Sequence, residues 1–289
     1  MRDAHADLIA AEELAAEDPS FAVEAAELRC RVTEFETRLA ELLTRDPHHR
    51  DDTVLEVRAP GRAEGSAAMA EALVNLYRGY AESRGWHTEM LTAVPAPAFG
   101  YRSATLSISA RGGTWPAFAE ETGLHRGRWL PFTDPPERPV VADAEVLAYP
   151  ESSWWERFWP DDSEVVFHQY NYGPLPLARR MPDVLLTHLP TGVEAYTAPT
   201  YGRTANVKRA QKLLVARLTA VAEGRAEPTY FARVPSRGPT DHIRTYNLIA
   251  NELTDHRLDL VLSAPFDPDN LTLLAEALRA PVPGSEPPE

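Results

Sequence analysis

Thr53-Val54-Leu55-Glu56-Val57-Arg58-Ala59 decides the fold class, because it alternates as a strand does and a helix follows it. Ala67 to Arg84 carries apolar side chains at Met69, Leu73, Leu76, Tyr77 and Tyr80, a stripe that faces a core, and Gly85 ends the helix. Thr88-Glu89-Met90-Leu91 and Leu106-Ser107-Ile108-Ser109 read as two more strands. The order strand, helix, strand, strand predicts an α+β or α/β layer.

Upstream, Asp46-Pro47-His48-His49-Arg50-Asp51-Asp52 is a polar linker and a domain boundary. Before it, Phe21, Ala25, Leu28, Val32, Phe35, Leu39 and Leu42 are spaced alternately by four and three residues, a heptad seam. Asp18-Pro19-Ser20 supplies a break and an N-cap, and the Ala/Glu-rich residues 3–17 form a preceding helix. The two helices make an antiparallel hairpin with coiled-coil character. Cys30 lies off the seam and reads as a surface thiol.

Downstream, four prolines between Pro131 and Pro139 predict an irregular exposed loop. Trp154, Trp155 and Trp159 form the densest aromatic patch, suited to stacking bases or a protein partner, and equally to plugging a domain junction. Val184-Leu185-Leu186 and Val193-Glu194-Ala195-Tyr196 flank Pro190-Thr191-Gly192 as a hairpin. Ala205 to Ala222 is a helix with Val207, Leu213, Leu214 and Leu218 inside and Lys208, Arg209, Lys212 and Arg217 outside. The Pro/Gly/Glu-rich residues 281–289 read as a disordered tail.

The 289 residues are 44% hydrophobic and carry a net charge of −14, with one cysteine. That composition suits a cytoplasmic globular protein without a disulfide framework, a cysteine-rich zinc site, a signal peptide or a membrane span. Charge is uneven: residues 1–52 sum to −8, 53–160 to −3, 161–225 to +2 and 226–289 to −5. Indiscriminate nucleic-acid binding is excluded, whereas a localised RNA contact is not. No HExxH, paired CxxC, GxGxxG or Walker loop is present, so no metal or cofactor is read.

Several blocks together resemble the class-I bacterial peptide chain release factors. They are Thr53 to Ala59, Ala81-Glu82-Ser83-Arg84-Gly85-Trp86, Glu121-Thr122-Gly123-Leu124-His125-Arg126 and Tyr149-Pro150-Glu151, the last expected just after a strand. Thr187-His188-Leu189-Pro190-Thr191-Gly192, Ile243-Arg244-Thr245-Tyr246-Asn247 and Thr254-Asp255-His256-Arg257 complete the set in family order. The resemblance implies an α+β multidomain fold. Its parts would be a shortened helical hairpin (1–52), a central codon-recognition-like domain (53–160), an inserted Gly-Gly-Gln-type domain (161–235) and a C-terminal segment packing on the centre (236–280).

The resemblance also implies where function has changed. In the family a Gly-Gly-Gln loop assists hydrolysis of the peptidyl-tRNA ester by holding a backbone N–H where oxyanion charge develops. Counting back from Thr187-His188 puts that tripeptide at Gly173-Pro174-Leu175. Pro174 fixes φ and loses its own N–H, and Leu175 offers no polar side-chain group. The UGA-reading branch reads its codon with Ser-Pro-Phe, here Leu130-Pro131-Phe132, and with a His-Thr pair, here Pro139-Val140. An RNA-contacting stretch becomes Tyr201 to Val207, keeping Asn206 in register within the basic neighbourhood of Arg203, Lys208, Arg209 and Lys212.

Three functions follow as expectations. The first is a release-factor homologue that docks on a ribosome or tRNA without stop-codon-dependent hydrolysis. The second is an enzyme for another acyl ester, using the loop His168-Gln169-Tyr170-Asn171. The third is a protein-binding scaffold. The first is preferred; peptidyl-tRNA hydrolysis is not expected, and whether the chain is an enzyme of another kind stays open.

Overall fold

A computed structural model describes residues 11, 21–23, 25–30, 32, 46–60, 64–131, 138–152, 158–161, 164–170, 183–197, 202–231 and 242–279. The chain divides into two units, Met1–His49 and Arg50–Glu289. In the first, the seam positions Ala25 and Val32 are buried, while Val23 is 70% exposed and Cys30 is exposed. The rest of the expected hairpin lies outside the described residues, as does the tail.

The second unit is built on an eight-stranded sheet ordered β11-β10-β9-β4-β5-β1-β3-β2. Its strands are β1 (Asp52–Arg58), β2 (His87–Pro95), β3 (Tyr101–Ser109), β4 (Gly123–Trp129), β5 (Val140–Glu151), β9 (His242–Asn247), β10 (Glu252–Asp255) and β11 (Leu260–Ser263). Neighbours are antiparallel except β4 and β9, which run parallel and join the C-terminal strands to the centre. The strand expected to end before Tyr149-Pro150-Glu151 instead runs through it. Pro150 is tolerated because the β4 ladder stops at the Gly123–Val146 pair, so no neighbour on that side needs its missing N–H.

Because side chains alternate along a strand, the sheet carries two different faces. Leu55, Val57, Leu106, Ile108, Val146 and Ala148 pack under α1 (Glu64–Ser83), α2 (Trp115–Phe118) and α4 (Asp269–Arg279). Tyr77, Tyr80, Trp86 and Phe118 meet edge to face in that layer. Gly85, at φ +70°, ends α1 as expected, and the following Trp86 N–H returns to the Ala81 carbonyl.

Val54, Leu91, Leu147 and Tyr149 point to the opposite face and form a second core with a smaller sheet and α3 (Arg203–Ala222). The smaller sheet is β6 (Val165–Tyr170), β7 (Asp183–His188) and β8 (Glu194–Thr197), in that order. A short 3₁₀ turn, Pro228–Phe231, adds Phe231 to this core. Trp159 also packs against it half-buried, which is the junction-plug reading of the aromatic patch; Trp154 and Trp155 lie outside the described residues.

Candidate nucleic-acid interface

The two stretches matched to codon reading by resemblance, Leu130-Pro131-Phe132 and Pro139-Val140, start from adjoining strand ends. Leu130 leaves β4 one residue after Trp129, and Pro139 enters β5 one residue before Val140, while Trp129 and Val140 face each other in the ladder. Leu130 is 43% exposed, Pro131 is half-buried and Phe132 lies outside the described residues. The β9–β10 turn reaches the same end, where the Leu248 N–H donates to the Arg128 carbonyl and Leu248 and Ile249 are exposed. This end of the sheet thus exposes Leu130, Leu248 and Ile249 together with Arg128 and Arg138.

The second position sits on the smaller sheet. His168 is exposed on β6 and pairs with Leu185 across the ladder. Gln169 pairs with Val184 and Tyr170 with Asp183, so the β6–β7 connection is residues 171–182. Asn171, Gly173, Pro174 and Leu175 fall in that connection and lie outside the described residues. Thr187-His188-Leu189-Pro190-Thr191-Gly192 forms the following turn: the His188 ring Nδ1 lies 2.8 Å from Thr191 Oγ1, and Gly192 takes φ +71°. That block therefore carries turn geometry.

The third position, α3, differs from its sequence reading. Lys208, Arg209, Lys212 and Arg217 were expected outside, but only Lys208 is exposed. The helix is sandwiched between the two sheets, so Leu213 through Arg217 are all buried and no single apolar stripe describes it. Arg209 Nε donates to Glu89 of β2 at 2.5 Å. Lys212 Nζ lies 2.5 Å from Glu151 of β5 and 3.1 Å from Ser107 Oγ, which itself donates to Glu151. Arg217 donates to both oxygens of Glu56 on β1, Nε at 2.6 Å and Nη2 at 2.9 Å, and its third nitrogen meets the Glu194 carbonyl. Asn206 is fully buried, its carbonyl accepting from Thr197 Oγ1 at 3.2 Å, and the Arg203 side chain lies outside the description.

Burial alone would raise the Glu56 carboxyl. The charges of Arg217 and Arg58, with hydrogen bonds from Arg217 and Tyr149, outweigh it and hold the group at about 2. Burial lowers the Lys212 ammonium, with Glu89 and Asp52 opposing. Three carboxylate partners went unnoticed in the sequence (Glu56, Glu89 and Glu151); for Glu56 the signal was a charged residue interrupting the apolar run Val54-Leu55-Glu56-Val57.

A separate buried network joins the remaining family blocks. Arg244 of β9 donates to Asp255 of β10 at 2.9 Å and to Glu121 at 2.6 Å, and Tyr77 Oη donates to the same Glu121 at 3.0 Å. Arg257 closes on Asp255 from the other side at 2.7 Å. His125 lies 3.0 Å from the Glu121 carbonyl through Nε2 and 3.2 Å from Tyr246 Oη through Nδ1. A carbonyl only accepts, so Nε2 carries the proton and Nδ1 accepts from the tyrosine. These groups tie β4, β9 and β10 together, and of them only Arg257 reaches the surface. Among the described residues no three His, Cys, Asp or Glu side chains are grouped to hold a metal ion. No described helix is long and apolar enough to cross a membrane.

Comparison with known proteins agrees with this architecture. The PCRF domain model matches residues 1–140. Peptide chain release factor 1 of Rhodococcus jostii is 38% identical over 286 residues, spanning 92% of this chain and 80% of the relative. Its counterpart from Mycolicibacterium vanbaalenii is 38% identical over 284 residues with the same coverage. The solved structure of RF2 of Thermus thermophilus superposes with a TM-score of 0.69 at 24% identity, covering 96% of this chain and 83% of that one. A large mixed sheet with a smaller sheet on its second face, joined to identity of this extent across nearly the whole chain, makes it a member of the class-I peptide chain release factor family.

Proposed function

We propose that this family member engages the ribosome or a tRNA without performing stop-codon-dependent hydrolysis of the peptidyl ester. The observation that carries the reading is Gly173-Pro174-Leu175 in the β6–β7 connection, where a loop must present a backbone N–H to a developing oxyanion. Proline restricts that backbone, and leucine leaves the site without a polar tip. The aliphatic Leu130 and the Pro139-Val140 pair support the same conclusion at the codon-reading end, since a buried base edge left without partners costs about 1–3 kcal/mol. On this reading residues 53–160 with 236–280 form the docking body, 161–235 the arm that lost its chemistry, and the protein works in the cytoplasm where translation occurs.

Co-sedimentation with ribosomes at low salt tests the docking, and release of formyl-methionine from programmed ribosomes tests the chemistry. Pelleting without release is the expected result. Release at a stop triplet would overturn it.

A protein-binding scaffold is the second reading. The inward pairing of Arg209, Lys212 and Arg217 favours it, because those cations are the ones an RNA would meet. A stable protein complex from cell extract, with no rRNA or tRNA in it, selects this alternative.

A further inference from the structure

The cations of α3 and the carboxylates beneath them form a row. Arg209 with Glu89 has the most open carboxylate, 28% exposed, over an arginine that is 12% exposed. Lys212 with Glu151 comes next, the lysine 23% exposed over a buried carboxylate. Arg217 with Glu56 is closed, at 9% and 3%. All three acids belong to the large sheet, on β2, β5 and β1, and all three bases to one helix. The exposed Lys208 stands at the open end of the row, one residue before Arg209.

From this we infer an internal competition: Glu89 and Glu151 occupy the positions that RNA phosphates would take on Arg209 and Lys212, so the helix presents its RNA-binding face only when a polyanion displaces them. The open carboxylate gives the direction, since Glu89 is 28% exposed while Glu151 and Glu56 are each 3% exposed. A phosphate backbone meets Lys208 first, takes Arg209 from the half-exposed Glu89, and then reaches Lys212. The buried Arg217–Glu56 pair, held additionally by Tyr149 and Arg58, stays shut and anchors the far end of the helix. Exchange of one carboxylate for one phosphate keeps each cation paired; the released Glu89, 28% exposed, passes to water, and the buried Glu151 keeps the Ser107 hydroxyl as donor. The inference rests on the reading that this chain contacts RNA.

Poly-uridylate RNA binding by the full-length protein, followed by fluorescence anisotropy at low salt, is the test. Glu89→Gln removes the partly exposed competitor and is expected to tighten binding about tenfold, close to the worth of one freed phosphate contact. Glu151→Gln is expected to act in the same direction, and Arg209→Ala added to Glu89→Gln returns affinity to the parent value. Glu252→Gln, on exposed β10, controls for a general change in charge and is expected to leave affinity unchanged. Equal affinities for the parent and Glu89→Gln, or an equal gain in Glu252→Gln, overturn the inference. Ribosome pelleting of the same set separates the two ideas: a gain on poly-uridylate without pelleting of any variant sinks the ribosome reading and leaves the competition standing.

Discussion

Arg217 of α3 grips Glu56 of β1 through two hydrogen bonds of 2.6 and 2.9 Å, with less than a tenth of either side chain exposed. The pair is built from both sheets at once, because the third arginine nitrogen meets the β8 carbonyl of Glu194 and Tyr149 Oη donates to Glu56 at 2.6 Å. Its guanidinium also lies over the Phe231 ring at 5.1 Å. A buried pair contributes little over an apolar replacement, yet losing one partner strands the other charge.

Arg217→Ala is therefore expected to lower stability by about 3 to 5 kcal/mol. Chemical denaturation measures it. The double change Glu56→Gln with Arg217→Met is expected to cost clearly less than Arg217→Ala, since no buried charge is then left alone. Equal losses in both would show that packing of the arginine stem, and not the charge, dominates.

Stability is expected to decline on acidification in two windows. Burial, reinforced by the charges of Arg244 and Arg257 against the opposing Glu121, pushes His125 down to about 4. The unfolded imidazole takes up its proton near 6.5 while the folded one does not. Between those values the unfolded state holds more protons, so stability is full above pH 6.5 and falls by roughly 3 kcal/mol on the way to pH 4. Glu56 and Asp255, both held at about 2, keep their contribution above the ordinary carboxylate range and lose it as pH drops toward 2. Denaturant midpoints across pH read this directly, and His125→Gln is expected to flatten the upper window alone.

Restoring the family tripeptide tests how much of the release machinery survives. Pro174→Gly combined with Leu175→Gln is expected to raise formyl-methionine release from programmed ribosomes by on the order of a hundredfold over the parent, the usual worth of one oxyanion donor. No gain would mean that the aliphatic codon-reading end, and not the tripeptide, prevents productive docking.

Gly100→Ala is expected to destabilise the central sheet by about 2 kcal/mol or more. The residue takes φ +79° in the β2–β3 connection, and a Cβ there would sit 2.3 Å from the Ala67 carbonyl oxygen at the start of α1. Thermal unfolding checks it; an unchanged midpoint would mean that the connection rearranges freely.

Much of the architecture was legible because period and punctuation agreed. The segment from Thr53 to Arg58 read as an alternating strand and is one, though buried on both faces, and the α1 stripe from Met69 to Tyr80 is buried at each of its members. The charged side of α3 was misread because periodicity reveals one apolar face, and this helix has two neighbours. No local pattern tells that Arg217 will meet Glu56 from 161 positions away. Three of the blocks that carried the family resemblance proved to be polar joints of the core: Arg244 bonds both Glu121 and Asp255, and His125 touches Tyr246. Such residues identify a fold sharply and say little about its activity. The tripeptide correspondences come from that resemblance alone, since no local pattern in the sequence marks them.

The parallel join of β4 to β9 has a consequence for synthesis. Until His242–Asn247 has emerged, β4 is a bare edge and Glu121 lacks the guanidinium that balances it. The nascent protein must therefore hold its middle portion unfinished through production of the entire smaller sheet and α3, which makes this a late-closing, high-contact-order assembly.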